Sequence, residues 1–254
     1  MLLAIDVGNT NVTLGVFEND RLKATWRLAP DVNRLADEYG VLMVNLLAHE
    51  SVQAKDIDAA VLCSVVPDLE PVFEAVCHRY FGVRPLVVGA GVHTGMAIRY
   101  DSPRDVGSDR VADAVAAIKL YGPPLILVDL GTATVFDAIS KDGDYIGGAI
   151  APGLSIAAEA LFQRAAKLYR VELVRPKSAI GHNTVAAIQS GVIYGYVGLV
   201  EGIVARFQQE LGGHAKVVAT GGWAEVVAAE TSVIDVVDPN LTLTGLRIIY
   251  ELNR

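Results

Sequence analysis

A duplicated α/β protein is what this sequence predicts, and three observations carry that expectation. A block of three short strands joined by two tight turns spans residues 2–28, a second block of the same grammar spans 125–151, and helical and strand-like segments alternate after each. The blocks align through Ile5-Asp6-Val7-Gly8-Asn9 and Val128-Asp129-Leu130-Gly131-Thr132, an offset of about half the 254-residue chain. One matched turn could arise by chance, whereas matched turns followed by matched hairpins point to an internal repeat.

The elements follow in order from local pattern. Apolar runs at 2–7, 12–17 and 22–28 are punctuated by Asn9-Thr10-Asn11 and Glu18-Asn19-Asp20. Helical periodicity covers 35–48 and 69–81, with buried strands at 59–65 and 85–88. Ser108 is placed to cap a helix over 109–120, whose Val111, Val115 and Ile118 share one face. In the second block, strands at 125–129, 133–139 and 145–151 are separated by Gly131-Thr132 and by residues 141–144. Helices at 156–168 and 184–207, a strand at 216–220 and a closing helix at 240–252 complete the chain. The reading is two halves, 1–120 and 121–254, without a Pro-, Ser- or charge-rich linker, and in such an arrangement a cleft between halves is the natural ligand site.

Composition narrows the function classes. Apolar residues make 52% and charged residues 20%, which excludes wholesale disorder. The net charge of -8 repels nucleic-acid backbone and anionic lipid, so neither partner is expected. Cys63 and Cys77 are too few for a disulfide framework and lack zinc spacing, which suits a reducing cytoplasm. No secretory signal is expected at the N-terminus, and no apolar stretch approaches the roughly 18 residues of a membrane span.

The turn Asp6-Val7-Gly8-Asn9-Thr10-Asn11 sets a carboxylate, a glycine and short polar side chains where a strand reverses. Backbone N–H groups there can face an anion and the aspartate can hold a hydrated magnesium ion, yet an ordinary hairpin prefers the same residues. The twin turn, Asp129 to Thr134, shifts the balance toward a polyphosphate grip, because a lone hairpin needs no copy. Thr220-Gly221-Gly222-Trp223-Ala224 follows a strand and opens a helix, which suits phosphate, a flat purine or a plain connection. In Gly107-Ser108-Asp109-Arg110 the carboxylate either complements a helix N-terminus or takes a proton from a substrate hydroxyl, with Arg110 holding an oxygen. Asp101, Arg104 and Asp105 read as solvated charges. His182 and Asn183 read as capping residues ahead of the long helix. Gly191, Gly195 and Gly198 lie on nearly one face of it, as close packing against another helix requires. Neither a P-loop nor a G-x-G-x-x-G pattern is present, and the histidines form no metalloprotease pair.

Taken together, Asp6-x-Gly-Asn-Thr10, Gly-Ser-Asp109-Arg110, Asp129-x-Gly-Thr-Ala-Thr134, Gly147 to Gly153, Ile180-Gly-His-Asn-Thr184 and Thr220-Gly-Gly222 resemble the type III pantothenate kinases in order and spacing over essentially the whole chain. The resemblance implies a duplicated ribonuclease-H-like fold of the actin, hexokinase and Hsp70 ATPase kind, with a nucleotide cleft. It implies ATP-dependent phosphorylation of the pantothenate 4′-hydroxyl, the first step toward coenzyme A, by a homodimer. By position it assigns a phosphate loop to Asp6, Val7, Gly8, Asn9, Thr10, Asn11, Val12 and Thr13, and a second ATP contact to Thr132. It makes Asp129 the ligand of a potassium or ammonium ion, and Asp6 a magnesium ligand. It gives pantothenate contacts to Tyr100, Gly107, Ser108, Asp109, Arg110 and Thr184, with Asp109 as general base. Leu168-Tyr169 departs from the Leu-Pro pair common at that point. A kinase of another small alcohol, a regulatory module that keeps the cleft without turnover, and a filament of the actin kind are the competing readings; the last two fit less well.

Overall fold

The computed structural model describes residues 1–165 and 168–254. The chain forms two compact units that interleave in sequence: residues 1–95, 101–116 and 241–254 make the first, and residues 96–100 and 117–240 the second. The repeat is therefore not simply two consecutive halves, because the closing helix belongs with the first sheet.

In the first unit β1 (Leu2–Val7), β2 (Val12–Glu18), β3 (Arg21–Leu28), β4 (Ala59–Ser64) and β5 (Pro85–Val87) form one sheet in the order β3-β2-β1-β4-β5. The first three strands are antiparallel, while β1–β4 and β4–β5 pair parallel. Apolar Leu3, Ile5 and Val7 alternate with Ala4 and Asp6 along β1, so one face of the strand packs on α1 (Ala36–His49) and α2 (Glu70–Val76) through Tyr39, Met43, Leu47 and Phe73. Within α3 (Ser108–Tyr121) the chain passes to the second unit, and it returns as a helix that packs on β1 and β4, numbered below.

The second unit repeats this plan. β6 (Leu125–Leu130), β7 (Ala133–Ile139), β8 (Tyr145–Pro152), β9 (Lys216–Thr220) and β10 (Val236–Val237) lie in the order β10-β9-β6-β7-β8. Strand for strand that is the first sheet again, with the same parallel and antiparallel pairings. Even the irregularity in the outer hairpin recurs, between Val16 and Phe17 and between Ala138 and Ile139. α4 (Leu154–Arg164), α5 (Thr184–Leu211) and α6 (Ala224–Ala228) belong to this unit, and α7 (Leu241–Leu252) is the returning helix of the first. Phe136, Ile193, Val197, Val200 and Val204 join α5 to its sheet.

Several boundaries differ from the pattern-based reading. The helix expected over 69–81 is α2 followed by a wider turn over Cys77–Phe81, closed by Gly82 at φ 69°. The helix expected over 156–168 is α4, which ends at Arg164; positions 166 and 167 lie outside the described residues, and Leu168 is not helical. α5 runs on to Leu211 and stops at Gly212. Two-residue β10 is too short for any periodicity to reveal. By length and composition α5 could also cross a membrane, contrary to the sequence expectation, yet one side of it forms the core of the second unit.

Candidate functional site

Asp6 is the penultimate residue of β1, and the residue paired with it on β4 is Cys63. Adjacent parallel strands in register put both side chains on one face of the sheet. The Cys63 thiol donates to Asp6 Oδ1 at 3.3 Å, and Cys63 is fully buried. Burial raises the Asp6 carboxyl to about 7, the thiol contact opposes that rise, and the charge of Asp109 adds to it. Residues 103 positions apart in sequence, Asp6 and Asp109, thus share one electrostatic neighbourhood in the first unit. Cys63 itself is held well above the ordinary thiol range by burial and by the charge of Asp6.

The turn after β1 differs from a full phosphate cradle in two respects. The Gly8 N–H is spent on Asn11 O at 2.9 Å, closing the turn, and so it does not point outward. Val7 and Val12 are core side chains with no exposure, which leaves them only backbone to offer. The exposed residues are Asn9, Thr10 and Asn11, with Thr13 half-buried on β2.

α3 brings the second acidic group. Ser108 is its first residue rather than its cap, and the hydroxyl donates to Ser64 O at 3.4 Å, tying the helix start to the end of β4. Asp109 Oδ1 accepts from the Arg110 N–H at 2.8 Å. A side chain at position 107 would displace the Asp109 carboxylate oxygen. Residues 107–110 are half-buried, whereas Asp101, Arg104 and Asp105 are exposed, as solvated charges should be.

In the second unit Asp129 occupies on β6 the place of Asp6 on β1, and its β9 partner is Thr220. Gly131 N–H donates to Ala133 O at 3.1 Å, again closing the turn. Tightly packed glycines crowd this carboxylate. Gly221, at φ 93°, packs so tightly on Asp129 Oδ1 and Leu130 that any Cβ would clash, and Gly153 does the same against the carbonyls of Gly131 and Thr132. Trp223 N–H donates to Leu130 O at 3.1 Å and Trp223 Nε1 to Ser155 Oγ at 2.9 Å, fastening the Gly221-Gly222 bend to the turn. Thr132 is exposed, and the fully buried Thr134 hydroxyl has no hydrogen-bond partner among the described residues.

Tyr100 lies in the second unit because residues 96–100 bridge to β8: Arg99 N–H donates to Tyr145 O at 2.7 Å and Tyr145 N–H to Ala97 O at 2.9 Å. The Tyr100 and Tyr145 rings meet edge to face at 6.3 Å, and Tyr145 OH donates to the buried Asp137 at 2.6 Å. Thr184 opens α5, exposed, and Asn183 caps that helix by accepting from Ala186 N–H at 2.9 Å. Sequence reasoning missed Cys63, Asp137 and Tyr145. Extending the repeat alignment to the strand paired with β1 would have found Cys63; the other two carry no motif.

Among the described residues no group of three or more His, Cys, Asp or Glu forms a metal cage. A divalent ion shared with a triphosphate needs only one or two carboxylates, and the half-buried Asp6 beside an exposed polar turn fits that demand. Asp129, crowded by Gly131 and Gly221, offers one carboxylate to a cation.

A family model of the type III pantothenate kinases matches residues 2–206. The chain is 56% identical to the type III pantothenate kinase of Moorella thermoacetica and 54% identical to that of Roseiflexus sp., in each case over all of both chains. Among solved structures it is similar to ethanolamine utilization protein EutJ from Carboxydothermus hydrogenoformans, at TM-score 0.57 and 17% identity over 97% of this chain and 89% of that one. It is also similar to the activator of 2-hydroxyisocaproyl-CoA dehydratase from Clostridium difficile, solved with bound ADPNP, at TM-score 0.50 and 13% identity over 99% and 94% of the two chains. At those identities the structures speak for the fold alone: the duplicated ribonuclease-H-like, actin-like ATPase fold.

Proposed function

We propose a distinct job for each acidic turn in this chain, which belongs to the type III pantothenate kinases and phosphorylates pantothenate with ATP and a divalent metal in coenzyme A biosynthesis. The observation that carries the proposal is the shared surrounding of Asp6 and Asp109 in the first unit. Phosphoryl transfer asks for positioning and charge neutralisation more than for covalent chemistry by the protein. Asp6 holds magnesium, and the exposed Asn9, Thr10 and Asn11, with Thr13, address phosphate oxygens. When bound, the magnesium ion supplies charge neutralisation at the phosphates.

Asp109 accepts the proton of the pantothenate 4′-hydroxyl and orients it for attack. Its carboxylate is held by the Arg110 N–H at the helix start. Gly107, Ser108, Arg110, Tyr100 and Thr184 contact pantothenate. Asp129 holds the monovalent cation, potassium or ammonium, in a pocket walled by glycine, and Thr132 adds an ATP contact.

The enzyme works in the cytoplasm as a homodimer built on α5. Gly191, Gly195 and Gly198 are exposed there, and a Cβ at any of them would meet nothing within 4 Å. Among the described residues the stripe has no partner helix in its own unit, and Ile150 and Ile180 of the same unit are 65% and 74% exposed. Light scattering at twice the mass of one chain, reduced to one mass by Gly195→Glu, is the expected result. For the activity, a coupled assay with pantothenate, ATP and magnesium in potassium or sodium buffer, run beside a panel of other small alcohols, tests acceptor and cation together. Turnover restricted to pantothenate and dependent on potassium is expected.

A further inference from the structure

We propose that Cys63 is a positioning residue, whose thiol fixes the Asp6 carboxylate for the divalent metal and the phosphates. The inference deepens the reading of Asp6 given above and rests on it. Three observations carry it. Asp6 and Cys63 are register partners on β1 and β4, so the backbone ladder fixes the separation of their side chains. The thiol donates to Oδ1 at 3.3 Å. Cys63 has no exposure, so no water replaces the donor if it is lost.

The chemistry is specific to one oxygen. An ionised carboxylate accepts at both oxygens and rotates about its last bond unless something holds it. Oδ1 is claimed by sulfur, and Oδ2 is left as the oxygen for the ion. The thiol has one proton to give, and toward a carboxylate it can only donate. The second unit supports the assignment independently: the register partner of Asp129 is Thr220, 5% exposed and likewise short, with a proton to donate. Cys77, the other thiol, is buried in the apolar core of the first unit.

The test compares Cys63→Ser, which keeps a donor, Cys63→Val, which keeps volume without one, and Cys63→Ala, with Asp6→Asn as control. Calorimetric binding of ADP at graded magnesium is the first readout, and the KM for magnesium-ATP against kcat is the second. Cys63→Val and Cys63→Ala are expected to need about tenfold more magnesium for half-maximal ADP binding, the loss of one hydrogen bond to a charged group, with kcat reduced less than affinity. Cys63→Ser is expected within about twofold of the parent, by the same reasoning. Should Cys63→Ala unfold, the volume-matched Cys63→Val carries the comparison. Equal behaviour of the serine and valine variants, whether both normal or both impaired, overturns the proposal. Asp6→Asn binding magnesium-ADP like the parent instead overturns the role of Asp6 itself, and with it this inference.

Discussion

The acidic turn of the first unit has a buried thiol and a second carboxylate close to its aspartate, and that of the second has packed glycines against its own. Cys63 donates to Asp6 and the charge of Asp109 reaches it, whereas Asp129 sits against Gly131 and Gly221, with Gly153 braced on the carbonyls of the same turn. The two sheets are otherwise the same in order, pairing and bulge position. A duplicated scaffold has thus kept its carboxylate in both copies while its surroundings diverged. A side-chain donor and a second carboxylate suit a hydrated divalent ion shared with phosphates.

The sharpest break of that contrast removes the second carboxylate of the first unit. Asp109→Asn is expected to lower kcat at least about tenfold, toward the roughly 10²–10⁴ that a positioned base supplies, with an unchanged thermal melting curve. Full turnover in the folded variant would remove the base role.

Next in size is the packing difference. Gly221→Ala, which forces a Cβ at φ 93° into Asp129 and Leu130, is expected to cost about 2–4 kcal/mol in denaturant unfolding. Its first-unit counterpart, Ser64→Ala, loses the hydroxyl that accepts from the Val66 N–H at 3.1 Å and donates to Val66 O at 2.9 Å, and is expected to cost about 1 kcal/mol. Equal costs would mean that the two turns are packed alike after all.

A third effect is on pH. The folded Asp6 carboxyl titrates at about 7 against an ordinary 3.8, so between those values the native state holds a proton that the unfolded chain has released. Stability of the nucleotide-free enzyme therefore falls as pH rises through that window. Asp6→Asn removes this contribution, and its melting temperature is expected to exceed the parent's near pH 8, the two converging near pH 4. A constant difference across the range would assign the shift to packing.

Much of this was legible in the residues. The hairpin blocks, the repeat and the partners of Asp6 and Asp129 along their own turns follow from alternation and turn chemistry, because those are short-range. Asp109 was legible as a candidate only, since its approach to Asp6 depends on how α3 docks at Ser64. The membership of α7 in the first unit was not legible, as an amphipathic helix does not say which sheet it will cover. Gly153 and Gly221 were visible as motif glycines, but their reason, contact with the Asp129 turn, is tertiary. Cys63 looked inert because a lone thiol carries no motif; only strand register reveals what it faces.

Calorimetric ADP binding, titrated separately with magnesium and with potassium, tests the divided roles most directly in the parent, Asp6→Asn and Asp129→Asn proteins. Asp6→Asn should weaken the response to magnesium and leave that to potassium intact, and Asp129→Asn should do the reverse. Loss of both responses in both variants, or the opposite pairing, would contradict the account.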